Sequence, residues 1–185
     1  MNTKMNKSEG QATGRALSQI ARRSIEAAFR GDTEEPAIAA AGILGEQHGV
    51  FVTIRGRQGK LRGCVGTLTP HFANTAEETW RVARDAAFLD GRFAPVGAHE
   101  LEHLRFEVSV LFPLEEVAST AELDPRCYGV VLATKDNRRG VLLPDVKGIK
   151  TVGQQLITAR LKGGIGEFEP VRIQRFAVKK FCEED

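Results

Sequence analysis

Within the run Leu61-Arg62-Gly63-Cys64-Val65-Gly66-Thr67 a permanent cation, a thiol and two glycines stand almost side by side. Alternate side chains of an extended chain share a face, so Arg62 and Cys64 point the same way with Cα atoms about 7 Å apart. The guanidinium arm is long enough to reach the thiol, and a cation beside a cysteine favours the thiolate, the nucleophilic and redox-active form. Cys64 is therefore the candidate catalytic residue. A catalytic cysteine also needs a base, and no histidine is placed beside it by sequence; the competing reading is a small buried apolar cysteine. Gly63 and Gly66 cost backbone entropy in a strand and pack nothing, so they mark close approach by a ligand or by other backbone.

A second pattern is His99-Glu100-Leu101-Glu102-His103, which satisfies H-E-x-x-H, the arrangement that puts two zinc-binding imidazoles and a glutamate base on one helical face. Pro95 and Gly97 upstream and the extended run at Phe106 downstream leave barely two helical turns, and no third ligand is marked. No metal and no cofactor is expected, and the motif is read as incidental. His48 and His71 fall in expected loops as solvated side chains.

These residues must be positioned by the elements around them. Residues 1–12 are polar and read as a disordered tail, and 13–185 as a single domain. Leu17, Ile20, Ala21, Ile25, Ala28 and Phe29 recur at helical spacing, and Gly31-Asp32 ends that helix. Segment 32–48, with Pro36, Gly42 and Gly45, reads as loop or short helical turns. Gly49 to Arg55 and the run opening at Leu61 form a β-hairpin around Gly56-Arg57-Gln58-Gly59-Lys60. Asn74 or Thr75 caps a helix whose inward residues are Ala76, Trp80, Ala83, Ala87 and Phe88. From Phe106 to Phe112 the chain alternates, with Phe106, Val108, Val110 and Phe112 on one face and Glu107 and Ser109 on a wet or functional one. Tyr128–Thr134 and Gly140–Leu143 make a second hairpin, Val152–Leu161 a helix stopped by Gly163-Gly164, and Val171–Phe181 a last strand. Hairpins and helices without repeated βαβ units indicate an α+β fold on a mainly antiparallel sheet.

Composition agrees with a packed globular protein: 42% of the 185 residues are hydrophobic and 27% charged. Cys64, Cys127 and Cys182 are odd in number and far apart, which excludes a paired-cysteine metal ribbon and argues against a disulfide framework. With no long apolar run and no apolar leader near Met1, no membrane association and a cytoplasmic location are expected. A net charge of +2 does not point to nucleic acid. The clusters Arg22-Arg23, Arg138-Arg139 and Arg172, Arg175, Lys179, Lys180 read as solvated faces.

The signature run 61–68 resembles that of the AMMECR domain family. The likeness continues in order through Asp90-Gly91-Arg92-Phe93-Ala94-Pro95, Glu107-Val108-Ser109-Val110-Leu111, Arg139-Gly140-Val141-Leu142-Leu143-Pro144-Asp145-Val146 and Lys162-Gly163-Gly164-Ile165. The Leu142-Leu143-Pro144-Asp145 form is similar to the bacterial branch called AmmeMemoRadiSam system protein A. The resemblance implies an antiparallel sheet flanked by helices, a smaller second lobe, and a cleft between them lined by the Arg62-Gly63-Cys64 segment. It also implies company, a Memo-like protein and a radical SAM protein. Arg62, Gly63, Gly66, Thr67, Arg92, Glu107, Ser109 and Lys162 are the ligand-binding residues carried over with Cys64. Arg62, Arg92 and Lys162 suit an anionic group on a small molecule or peptide, and Glu107 and Ser109 suit hydrogen bonding to it. Three functions compete: a binding or accessory component, an enzyme using Cys64, and, more weakly, a nucleic-acid binder. The first accounts for most of these residues, with Arg62 ahead of Cys64 as the residue whose loss matters most.

Overall fold

Leu17, Ala21 and Ile25, spaced as one stripe of a helix, are all fully buried and hold the long N-terminal helix α1 (Lys7–Arg30) in place. The structure, a computed structural model, describes residues 7–32 and 41–183, with side chains from Arg15 onward. Of the tail expected over 1–12, positions 1–6 lie outside the described residues and 7–12 already belong to α1. Gly31, at φ 80°, supplies the left-handed residue that ends the helix. The loop expected over 32–48 holds one 3-10 turn at Gly42–Leu44, and residues 33–40 of it lie outside the described ones.

The chain divides into two compact units, one comprising the chain up to Leu111 together with Lys179–Asp185, the other Phe112–Val178. In the first, β1 (Gly49–Arg55) and β2 (Leu61–Gly66) form the expected antiparallel hairpin, with Gln58 at φ 60° and Gly59 at φ 71° in its turn. β1 also pairs antiparallel with β3 (Arg105–Leu111), and β3 neighbours β7 (Arg172–Cys182), whose last residues belong to this unit. One face of β1 and β3, namely Val50, Val52, Ile54, Phe106, Val108 and Val110, packs with α1 and with Val82, Ala83 and Ala86 of α2 (Thr75–Phe88). Asn74 caps α2 by accepting from the Glu77 N–H at 2.9 Å.

Two parts of unit one distant in sequence meet at Arg22. Its guanidinium donates to both carboxylate oxygens of Glu183, at 2.6 and 2.9 Å, and to the carbonyls of Leu101 and Leu104, at 3.0 and 2.8 Å. Phe181, 4% exposed, joins the same core.

The second face of the sheet, expected to be wet or functional, is exposed at Arg105 and half-buried at Glu107 but dry beyond them. Ser109 is fully buried, Leu111 is 2% exposed and Thr53 6%. His48, expected in solvent, is buried too, its Nδ1 3.0 Å from the Leu111 carbonyl and its Nε2 2.9 Å from Glu46.

In the second unit β4 (Glu115–Glu116) and β5 (Tyr128–Ala133) both pair with the first part of β7, and β6 (Arg139–Leu142) pairs with β5. Helix α3 (Val152–Lys162) begins at a Thr151/Gln154 capping box and stops where Gly164 takes φ 60°. Val130, Leu132, Leu142, Ala159 and Ile165 form that unit's own core. The architecture is α+β on antiparallel strands, and no helix among the described residues is long and apolar enough to cross a membrane.

Candidate functional site

Strand alternation turns Gly63 and Val65 toward the helices and Arg62, Cys64 and Gly66 to the other face, as the sequence predicts. Arg62 does not go to the thiol. Its Nε and Nη2 clamp the Glu100 carboxylate at 2.7 and 2.9 Å, while Nη1 donates to the Ala94 carbonyl at 2.7 Å and Nη2 to that of Pro95 at 3.1 Å. The bidentate bond from Arg62, then the Gly97 N–H and the charges of Arg62 and His99, pull the Glu100 carboxyl down to about 2 against the effect of burial. The anion that Arg62 suits is thus one the protein itself supplies.

The cation beside Cys64 is Arg92. Asp90, only 9% exposed, accepts from the Cys64 N–H at 2.9 Å, from Arg92 Nε at 2.9 Å and from Arg92 Nη2 at 2.7 Å. Nη2 of Arg92 also donates to the Cys64 carbonyl at 3.0 Å. These bonds hold the Asp90 carboxyl far below the usual carboxylate range, the Arg92 guanidinium contributing most. The Arg92 guanidinium is raised first by Asp90 and further by the Cys64 side chain. The Arg92 side chain nevertheless stays 59% exposed. Asp90 is the residue that sequence reasoning missed; its two-residue spacing from Arg92 inside the Asp90-Gly91-Arg92 run is the signal that marks it.

Strand register sets Cys64, Thr53 and Glu107 in one row across β2, β1 and β3. Thr53 Oγ1 lies 3.4 Å from Cys64 Sγ, and Glu107 Oε2 accepts from Cys182 Sγ at 3.7 Å. Burial, then Glu107, pushes the Cys182 thiol up. The next row is Gly66, Phe51 and Ser109. Ser109 was expected to meet a ligand; it is fully buried, and its Oγ has no hydrogen-bond partner among the described residues.

Packing accounts for both glycines. A Cβ on Gly63 would stand 2.1 Å from the Ala86 carbonyl oxygen of α2, and one on Gly66 2.2 Å from the Phe51 ring. The close approach inferred from sequence is therefore made by a helix backbone and an aromatic ring. Thr67 is an anchor: its Oγ1 donates to Glu78 Oε1 at 2.6 Å, while Glu78 Oε2 accepts from the N–H groups of His71 and Phe72 at 2.7 and 3.0 Å. Glu78, fully buried on α2, thereby ties down the loop after β2. Lys162 lies in the second unit, exposed in the last turn of α3, where the helix dipole favours a cation.

The H-E-x-x-H run forms a 3-10 helix (Ala98–His103). At three residues per turn, positions four apart sit about 120° apart around the axis, so His99 and His103 lack the stacked α-helical spacing that a shared zinc requires. Glu100 is bound to Arg62, and no group of three or more His, Cys, Asp or Glu side chains stands ready for a metal among the described residues.

Comparison with known proteins matches the AMMECR1 family over residues 18–181. A Thermotoga maritima protein is 46% identical over 134 residues, 72% of this chain and 76% of that one. A Clostridium acetobutylicum protein is 42% identical over 137 residues, covering 74% of this chain but 29% of its own length. The crystal structure of an uncharacterized protein from Pyrococcus horikoshii superposes with a TM-score of 0.82 at 30% identity, over 92% of this chain and 91% of that one.

Proposed function

The chain belongs to the AMMECR1 family, and from that premise we propose that it is a binding component whose working surface is the outward side of β2 around Cys64. In this reading Arg92, rather than Arg62, meets an anionic group on a small molecule or peptide. One observation carries it. Asp90 and the Cys64 carbonyl take the hydrogens of Arg92 Nε and Nη2, while Nη1 makes no hydrogen bond among the described residues and the side chain is 59% exposed. A guanidinium already fixed at one edge meets a carboxylate or phosphate with little further loss of rotamer freedom. Every nitrogen of the Arg62 guanidinium already donates within the protein.

Native mass spectrometry of gently purified protein tests this. A bound mass on the wild type, absent from Arg92→Gln and kept by Cys64→Ser, is the expected result; the same mass on Arg92→Gln overturns it. The reading extends to the AmmeMemoRadiSam system protein A branch and to action with a Memo-like and a radical SAM protein. Its support there is the Leu142-Leu143-Pro144-Asp145 form, and co-purification with those two proteins is the measurement.

A second reading, an enzyme using the Cys64 thiolate, is favoured by the place of Arg92 beside that residue. Iodoacetamide then alkylates Cys64 faster than a free thiol, with that advantage lost in Arg92→Gln. A rate no faster than that of a free thiol retires the enzyme reading.

A further inference from the structure

At the other end of β2 a cavity of about 470 Å³ opens between the β1–β2 turn and the 3-10 helix Ala98–His103, within the first unit. We propose that it binds a small amphipathic anion, a carboxylate or phosphate head on an apolar body. The volume lies within the range of small-molecule sites. Its apolar wall is Leu61, 38% exposed, backed by the fully buried Leu104.

Its charge is one-sided. Glu100 is the carboxylate among the lining residues, and Arg62 holds it by both oxygens. Lys60 makes no ion pair among the described residues. Arg57 donates to Nε2 of His103, an imidazole that offers it no negative charge. The same Nε2 lies 2.9 Å from Glu102, a 75% exposed carboxylate outside the cavity lining. Neither Arg57 nor Lys60 makes an ion pair among the described residues, and the imidazole beside Arg57 does not neutralise it. An anionic head seated between Arg57 and Lys60 pairs with both cations, and Leu61 receives the tail.

The cavity and the surface around Arg92 use different cations, so each stands or falls alone. Titration calorimetry with octanoate and with octyl phosphate tests the cavity, with octanol and octylamine as controls. One-to-one binding is expected for at least one of the two anions, and which of them binds more tightly distinguishes a carboxylate from a phosphate ligand. Affinity drops about tenfold in Lys60→Gln and in Arg57→Gln, and the controls bind about tenfold more weakly or not at all. Both substituted residues are exposed turn residues, and an unchanged circular dichroism spectrum shows that each variant folds. Imidazole resonances of His99 and His103 shift on adding the anion while those of the exposed His71 stay in place. Failure of both anions to bind, octanol binding as tightly as octanoate, or binding indifferent to Lys60→Gln and Arg57→Gln overturns the proposal. So do His99 and His103 signals that do not move.

Discussion

Arg62 and Glu100 hold each other charged, and the consequence appears in acid. With its carboxyl at about 2 in the folded chain and an ordinary value of 4.5, Glu100 contributes stability that is complete above pH 4.5 and is lost as pH falls toward 2. Glu100→Gln should cost about 1–2 kcal/mol at neutral pH, since the pair is partly exposed. Denaturant titrations across this window should show the gap from wild type closing as the wild type protonates; a gap independent of pH contradicts the assignment. The alternation that puts Arg62 and Cys64 on one face is legible in seven residues. Their partners are not, because Glu100 and Asp90 stand 38 and 26 positions away, brought back only by the fold. So the sequence supports a cation beside Cys64 and names the wrong arginine for it. Arg62 has a carboxylate and two carbonyls within reach, whereas Arg92 is turned onto the Cys64 carbonyl by its neighbour Asp90.

Hairpins and helices declare themselves by period and punctuation, and β1, β2, α2, β5 and α3 stand within a residue or two of where their patterns place them. What the pattern cannot carry is the reason for a glycine. Gly63 and Gly66 look alike in sequence, yet one admits helix backbone and the other an aromatic ring. Gly63→Ala should cost at least about 2 kcal/mol, because the Ala86 carbonyl belongs to a helix that cannot retreat alone. Gly66→Ala should cost less, since its obstacle is a half-buried side chain that can swing away about χ1 rather than helix backbone. Urea midpoints of the two variants measure the difference, and equal losses contradict it. The two-residue strand β4 and the 3-10 turns are too short for any period to reveal, and H-E-x-x-H misleads at this scale because the pattern presumes an α-helix.

Across the whole molecule Arg22, Arg138, Arg172 and Arg175 of the basic clusters seen in sequence are neutralised by carboxylates. Arg22 pairs with Glu183 and Arg175 with Glu115; Arg172 holds Glu116, and Arg138 both Asp136 and Glu169. With a net charge of +2 there is little left to displace counterions from a phosphate backbone. Fluorescence anisotropy should therefore detect no binding to labelled DNA or RNA even at low ionic strength; binding that weakens steeply with added salt contradicts this. The division into two units was not legible from periodicity, because β7 reads as one uninterrupted alternation while serving both.

That strand, with the Arg22 clasp, also sets an order of events during synthesis. Helix α1 emerges early, but the carboxylate that Arg22 grips and the Phe181 ring that completes its core are made more than a hundred and fifty residues later. The first unit lacks both the clasp and that ring until Glu183 has left the ribosome. A premature stop after Val178 would leave a chain whose second unit has all its residues and whose first lacks a ring of its core and the partner of Arg22, a natural target for chaperones and proteases.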